Sequence, residues 1–133
     1  MRIGLVTGEY PPMVGGVGAY SQILANELVQ QGHYVSVFSS RAAQSIDPNI
    51  SLYNTVEKWG LTSLRALQVW ANVEQLDIVN LQFQTAAFGM SPWIHFLPDY
   101  IRHIPVVTTF HDLRHPYLFP KAGKLRDWPS SGQ

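Results

Sequence analysis

The stretch TGEYPPMVGGVGAYSQILANEL, Thr7 to Leu28, decides the fold of this chain. It joins a short apolar segment, Arg2 to Thr7, to an amphipathic pattern over Ala19 to Gln31, through a connection rich in proline and glycine. In parallel α/β sheets, ligands bind at the carboxyl ends of the strands, and the turn after the first strand is the usual place. The stretch therefore predicts a strand, a helix and a ligand-binding loop between them.

The rest of the chain continues this alternation. Short segments rich in β-branched residues and bounded by turn formers predict further strands. These segments are Tyr34 to Ser39, Ile50 to Thr55, Asp77 to Phe83 and Pro105 to Phe110. Amphipathic patterns between them predict helices over Leu61 to Gln75, with a cap at Thr62 or Ser63, and from Ser91 to about His103, where Pro98 kinks or splits the helix. The alternation covers the strands on both faces and predicts an α/β fold, a Rossmann-like doubly wound parallel sheet.

Charge and composition exclude several classes of function. The 133 residues carry nine Lys and Arg against nine Asp and Glu, without a basic run, so no nucleic acid partner is expected. The absence of cysteine excludes a disulfide framework and a thiolate metal site. The N-terminus lacks a signal-peptide core, and no apolar run is long enough for a transmembrane segment, so the expected location is cytoplasmic.

The glycine-rich part of the connection can bind an anion. Gly15, Gly16 and Gly18 lack a Cβ, so the backbone can approach a ligand closely while the N–H groups at the helix start point toward it. The alternative interpretation is that the glycines only form the turn. Their position after the first strand favours a phosphate or carboxylate loop made of Gly15, Gly16, Val17 and Gly18. The prolines Pro11 and Pro12 stiffen this loop, which can then reach toward a second domain.

Other phosphate-binding motifs are incomplete. The nicotinamide fingerprint needs Gly or Ala where Ser21 stands, and the second strand ends without an acid for a ribose, so an NAD-dependent oxidoreductase is a distant alternative. No Gly-Lys-Ser/Thr follows the glycines, which excludes a P-loop. A non-enzymatic Rossmann or flavodoxin-like binding module is the nearer alternative. A receiver domain would need acids that Thr7-Gly8-Glu9 and Asn54-Thr55 do not supply.

The chain resembles the start of the retaining glycosyltransferases of family 4. The similar elements are the proline-containing loop, the GGVG turn with its helix, and the junction in which Leu28 precedes GHYVSV. The segments DIVNLQFQ and IPVVTTFHDL also stand where the family has its fourth and fifth strands. The resemblance covers about Met1 to Pro120.

The resemblance implies the two-domain GT-B architecture and transfer of a sugar, with retention, from a nucleotide-diphosphate sugar to a sugar or lipid-linked acceptor. It implies no metal and no cofactor. The N-terminal domain of the family mainly binds the acceptor, its glycine loop lies near the donor phosphates, and a histidine at the end of the fifth strand lies at the reacting sugar. Here that histidine is His111. Positive groups and amides are needed to stabilise the departing diphosphate.

The remaining site residues are predicted as acceptor or sugar contacts: Glu9, Tyr10, Gln84 and Asp112. Where the family often has a histidine at the end of the fourth strand, this chain has Gln82 and Gln84, so a contact there is a neutral amide. Glu9 and Asp112 either form a carboxylate pair in the cleft or bind loop amides, and both interpretations stay open.

The chain departs from the family in extent. No glutamate has another glutamate eight positions on, so the donor motif E-x7-E is missing. We therefore expect a fragment, inactive alone, with a truncated acceptor domain over residues 1–120 and a tail over 121–133. A sheet that ends at PVVTTF leaves an unpaired strand edge, which predicts self-association through that edge.

Overall fold

Strands and helices alternate along the chain in a computed structural model that describes residues 1–13, 15–44, 47–84, 88–89 and 92–111. The strands are β1 (Arg2–Thr7), β2 (Tyr34–Ser40), β3 (Ile50–Val56), β4 (Ile78–Phe83) and β5 (Val106–Phe110). The helices are α1 (Gly16–Gln30), α2 (Leu61–Val73) and the short α3 (Leu97–Tyr100), which follows a 3₁₀ helix over Pro92–Phe96.

The strands form one parallel sheet in the order β3-β2-β1-β4-β5. Ile3 of β1 pairs with Val35 of β2 on one side and with Ile78 of β4 on the other. The strands β2 and β3 thus extend the sheet on one side of β1, and β4 and β5 extend it on the other side. This order confirms the predicted doubly wound parallel sheet, and it puts the switch point, where ligands bind in such sheets, at the carboxyl end of β1.

Each face of the sheet buries its own apolar cluster, because successive side chains of a strand point to opposite faces. Ile3 and Leu5 of β1 pack with Ala25 of α1 in one cluster. Val6 packs in the other cluster with Trp70 of α2 and with the residues after β4. The Trp70 indole N–H donates to the Ser36 hydroxyl at 2.8 Å, so the one polar atom of this buried ring is satisfied.

The helix boundaries differ from the predicted ones at their starts. α1 begins at Gly16, ahead of the predicted Ala19, and ends where expected, before Gly32 with its positive φ of 91°. The cap of α2 is Gly60, not Thr62 or Ser63, so that prediction was wrong. Ser63 lies within the first turn, and its hydroxyl accepts the Gly60 N–H at 2.8 Å, which is the reach-back contact of a capping box.

The segment after β4 is split, as Pro98 indicated. A 3₁₀ helix, Pro92–Phe96, precedes α3, Leu97–Tyr100, and Pro98 lies in the first turn of α3, where its missing N–H costs no helical bond. Ile94, Leu97 and Ile101 are buried against the α2 side of the sheet.

β5 lies at one edge of the described sheet. Val107 and Phe110 of this strand are 49% and 55% exposed. The expected self-association through this edge stays a prediction, as does the division between residues 1–120 and 121–133, because residues 112–133 lie outside the described part of the chain. Within the described ranges, no helix is long and apolar enough to cross a membrane.

The packing of α2 on β1 predicts that Gly4→Ala destabilises the protein. A methyl group on Gly4 would lie 2.5 Å from Leu76 Cδ1 and 2.6 Å from Trp70 Cη2. Because overpacking a dense core costs ~1–3 kcal/mol, we expect a loss of that size in the free energy of unfolding, measured by urea titration with tryptophan fluorescence. Gly16→Ala is the control, because in the part of the chain that the structure describes the added methyl has no atom within 4 Å outside its own helix. Equal stability of Gly4→Ala and wild type would contradict this packing.

Candidate functional site

The loop after β1 is held close to the sheet. The Thr7 hydroxyl donates to the Glu9 carbonyl oxygen at 2.6 Å and accepts the Glu9 N–H at 3.2 Å, which turns the chain as it leaves the strand. Tyr10 is 1% exposed and belongs to the apolar cluster on the α1 side. Burial raises the pKa of its hydroxyl, with a smaller contribution from Asp47. A sugar could therefore contact the Tyr10 side chain, as predicted, only if it reached into this buried cluster.

The proline segment lies over the carboxyl end of β2. The Gln44 N–H donates to the Pro11 carbonyl oxygen at 2.8 Å, and the Ser40 hydroxyl donates to Met13 Sδ at 3.0 Å. These two hydrogen bonds hold the proline segment against residues that follow β2. The glycines come after this segment and lie next to the start of α1.

The three glycines at the start of α1 differ in their surroundings. The Ala19 N–H donates to the Gly15 carbonyl oxygen at 3.2 Å, so the N–H groups of residues 16–18 have no acceptor within the helix. Among the described residues, and apart from the helix's own backbone, a Cβ on Gly16 would meet no atom within 4 Å. A Cβ on Gly18 would lie 3.3 Å from backbone atoms of Glu9 and Tyr10. Gly16 therefore leaves space for a ligand, whereas Gly18 allows the helix to pack against the loop.

Glu9 lies at the same helix end. A Cβ on Gly15 would come within 2.3 Å of Glu9 Oε1, and this oxygen is buried without a hydrogen-bond partner among the described residues. A carboxylate is electrostatically stabilised near the N-terminus of a helix. The protein thus already supplies one negative charge where the sequence predicted an anion site. Val17 is buried, so only its backbone can face a ligand. Phosphate binding by Gly15, Gly16, Val17 and Gly18 stays a prediction.

His111 lies beside the start of α1. Its backbone N–H donates to the Phe83 carbonyl oxygen at 2.9 Å, which continues the pairing of β4 with β5. Its Nε2 is 2.7 Å from Gln82 Oε1. Its ring stands edge-on to Tyr20, with 5.1 Å between the ring centroids. Because Tyr20 belongs to the second turn of α1, the ring of the predicted catalytic histidine packs against this helix one turn after the glycines.

Gln82, which was not among the predicted site residues, is the amide that contacts His111. It is fully buried, and its Nε2 donates to Asn80 Oδ1. Gln84, the amide predicted as an acceptor contact, is half-buried just after β4, and its role stays a prediction. The signal for Gln82 was the alternation of polar Asn80 and Gln82 with apolar Val79 and Leu81 within one strand. Asp112 lies outside the described residues, so its pairing with Glu9 also stays a prediction.

A second concave feature lies at the carboxyl end of β3. A cavity of about 600 Å³ is formed by the connection from β3 to α2 together with Trp93. Its lining combines the rings of Trp59 and Trp93 with the polar side chains of Lys58 and Thr62. Trp59 also packs edge-on against Phe88 at 4.7 Å, which fixes that wall. The mixed lining suits a ligand with both apolar and polar parts.

Comparison with known proteins indicates the family. The sequence model of the family described as Glycosyltransferase Family 4 matches residues 14–131. A curated relative, the alpha-monoglucosyldiacylglycerol synthase of Streptococcus pneumoniae (strain ATCC BAA-255 / R6), is 28% identical over 137 residues. The alignment covers 89% of this chain, which spans only 28% of the length of that relative.

A solved structure shares the fold. The DNA/pantothenate metabolism flavoprotein from Streptococcus pneumoniae superposes with a TM-score of 0.51 at 11% identity. The match covers 81% of this chain and 66% of the flavoprotein chain. At this identity the likeness shows the Rossmann-like architecture alone.

The different surroundings of the glycines predict different effects of the same substitution. Gly18→Val should lower the free energy of unfolding by ~1–3 kcal/mol, because the branched side chain would press on the backbone of Glu9 and Tyr10. Gly16→Val is the matched control, and it should leave stability within about 0.5 kcal/mol of wild type. Chemical denaturation of the two variants measures the difference. Equal losses would mean that α1 does not pack on the loop through Gly18.

Proposed function

The chain belongs to glycosyltransferase family 4, and we propose that it forms the acceptor-side domain of a retaining glycosyltransferase with GT-B architecture. In the proposed reaction the bond between the anomeric carbon and the nucleoside diphosphate breaks, the anomeric carbon bonds to an acceptor oxygen, and the proton of that hydroxyl passes to the departing nucleoside diphosphate. The observation that carries the proposal is the contact of the His111 ring with Tyr20 in the second turn of α1, with 5.1 Å between the ring centroids.

The groups around this point suit the charges of such a transfer. The departing diphosphate gains negative charge, which the N–H groups of residues 16–18 and the positive end of α1 can stabilise. The open space at Gly16 allows the ligand to approach the backbone. The reacting sugar becomes positively charged, and the carboxylate of Glu9 beside Gly15 is suited to stabilise that charge. We assign these roles as part of the proposal.

The acceptor proposed here is a glycerolipid. The relative from Streptococcus pneumoniae is named as a synthase of a glucosylated diacylglycerol, and this name is the support for the class. The cavity beside Trp59 and Trp93 has apolar ring surface next to Lys58 and Thr62, as an amphipathic acceptor needs. A sugar acceptor is the other outcome that an assay can detect.

The proposal predicts that a chimera is active. The segment of the Streptococcus pneumoniae synthase that aligns with this chain would be replaced by this chain, and transfer of glucose from nucleotide-diphosphate glucose to diacylglycerol in mixed micelles would be measured. We expect transfer, and we expect His111→Ala to lower kcat about 100-fold or more, the usual loss for a positioned catalytic side chain. Gln30→Met, at an exposed position in the last turn of α1, is the control. A folded chimera that transfers no glucose would contradict the proposal. So would a chimera whose kcat is unchanged by His111→Ala.

The same proposal predicts weak donor binding by this chain alone. Because the E-x7-E motif is missing, isothermal titration with nucleotide-diphosphate sugars should give dissociation constants weaker than about 1 mM, or about −4 kcal/mol. Micromolar binding would mean that the donor site lies within these residues, and the acceptor-side assignment would then be wrong.

A further inference from the structure

A row of polar side chains joins β4 to β5 on the α1 side of the sheet. Asn80 pairs in register with Val107, and Gln82 with Thr109. Asn80 Nδ2 lies 3.1 Å from the Val107 carbonyl oxygen and 3.2 Å from the Thr109 hydroxyl oxygen. The row continues through Gln82 to His111. We call Asn80, Gln82 and His111 the polar row.

The hydrogen bonds of the polar row have one consistent direction. A backbone carbonyl oxygen can only accept, so the Val107 carbonyl requires the NH₂ group of Asn80 on its side. Asn80 Oδ1 then faces Gln82, whose NH₂ group donates to it. Gln82 Oε1 is consequently the atom that faces His111 Nε2 at 2.7 Å. An amide oxygen carries no hydrogen, so Nε2 must be the donor.

We propose that Gln82 is a positioning residue that holds neutral His111 in the Nε2–H form and so leaves Nδ1 as a hydrogen-bond acceptor. In this form His111 accepts a hydrogen bond from a hydroxyl group of the ligand and offers no donor to a phosphate oxygen. The identity of that ligand as a sugar rests on the function proposed above, whereas the ring form rests on the polar row alone.

Burial makes this direction hard to reverse. Gln82 is fully buried, so no solvent can compensate a rotated amide. Rotation would set its oxygen against Asn80 Oδ1 and its NH₂ group against His111 Nε2. Asn80 in turn cannot rotate without losing its bond to the Val107 carbonyl. On the other side of the His111 ring, the edge-on contact with Tyr20 limits its movement.

NMR of the folded chain, labelled with ¹⁵N-histidine, tests the ring form without any activity. At a pH well above the ordinary histidine pKa of about 6.5, long-range ¹H–¹⁵N correlations report which ring nitrogen carries the hydrogen. We expect His111 in the Nε2–H form, with an imidazole N–H that exchanges slowly with water. An Nδ1–H form in the wild type would overturn the proposal.

Matched variants separate positioning from general stability. Gln82→Met removes both amide contacts, and it should speed exchange of the His111 imidazole hydrogen about 10-fold or more, whereas Gln82→Glu retains an acceptor toward His111 and should keep it slow. Gln30→Met, the same substitution at an exposed site, should leave the exchange rate unchanged. Unchanged exchange in folded Gln82→Met would overturn the proposal.

The chimera described above gives the functional consequence. Gln82→Met should lower kcat about 10-fold, less than His111→Ala does, and Gln82→Glu should restore part of it. Unchanged kcat in an active Gln82→Met chimera would overturn the positioning role. If the chimera transfers no sugar at all, the proposed function fails, and the ring form seen by NMR still decides the role of Gln82.

Discussion

The close contact between α1 and the loop after β1 is the constraint on which the candidate site depends. Gly18 lies so near the backbone of Glu9 and Tyr10 that a Cβ would come within 3.3 Å of it. This contact brings the first turn of the helix onto the carboxyl end of β1. It also brings the Glu9 carboxylate next to Gly15 at the helix end. One turn further along the helix, Tyr20 packs against the His111 ring.

The two sides of the sheet are used differently at this edge. On the α2 side, Leu81 and Phe83 of β4 enter the apolar core. On the other side, α1 packs mainly on β1 and β2, and the same strand presents Asn80 and Gln82. A strand buried on both faces is usually apolar throughout, so two amides in this one need partners. Asn80 bonds to β5, and Gln82 bonds to His111. The polar row therefore lies on the same side of the sheet as α1.

The sequence predicted the elements and the doubly wound sheet well, because β-branched runs and amphipathic patterns depend only on local spacing. It placed the start of α1 late, because glycines are poor helix formers and Gly16 and Gly18 hid the first turn. It noted Gln82 but could not show that this side chain contacts His111. That contact depends on the register in which Gln82 pairs with Thr109, two residues before His111 on the same face of the sheet. Register between distant strands cannot be read from either strand alone.

The electrostatics of the site indicate what kind of ligand this domain can hold. Glu9 Oε1 is an acceptor without a partner among the described residues, and the proposed ring form makes His111 Nδ1 a second acceptor. The proposed ring form lets His111 accept a hydrogen bond from a ligand hydroxyl, whereas the buried Glu9 Oε1 acts on a ligand through its charge. For an anion, the described part of this edge offers the backbone N–H groups of residues 16–18, and they share the helix end with the Glu9 charge. In the proposed transfer, a diphosphate at this helix end would therefore need positive charge in addition to these N–H groups, and the second domain of the proposed GT-B architecture could supply it.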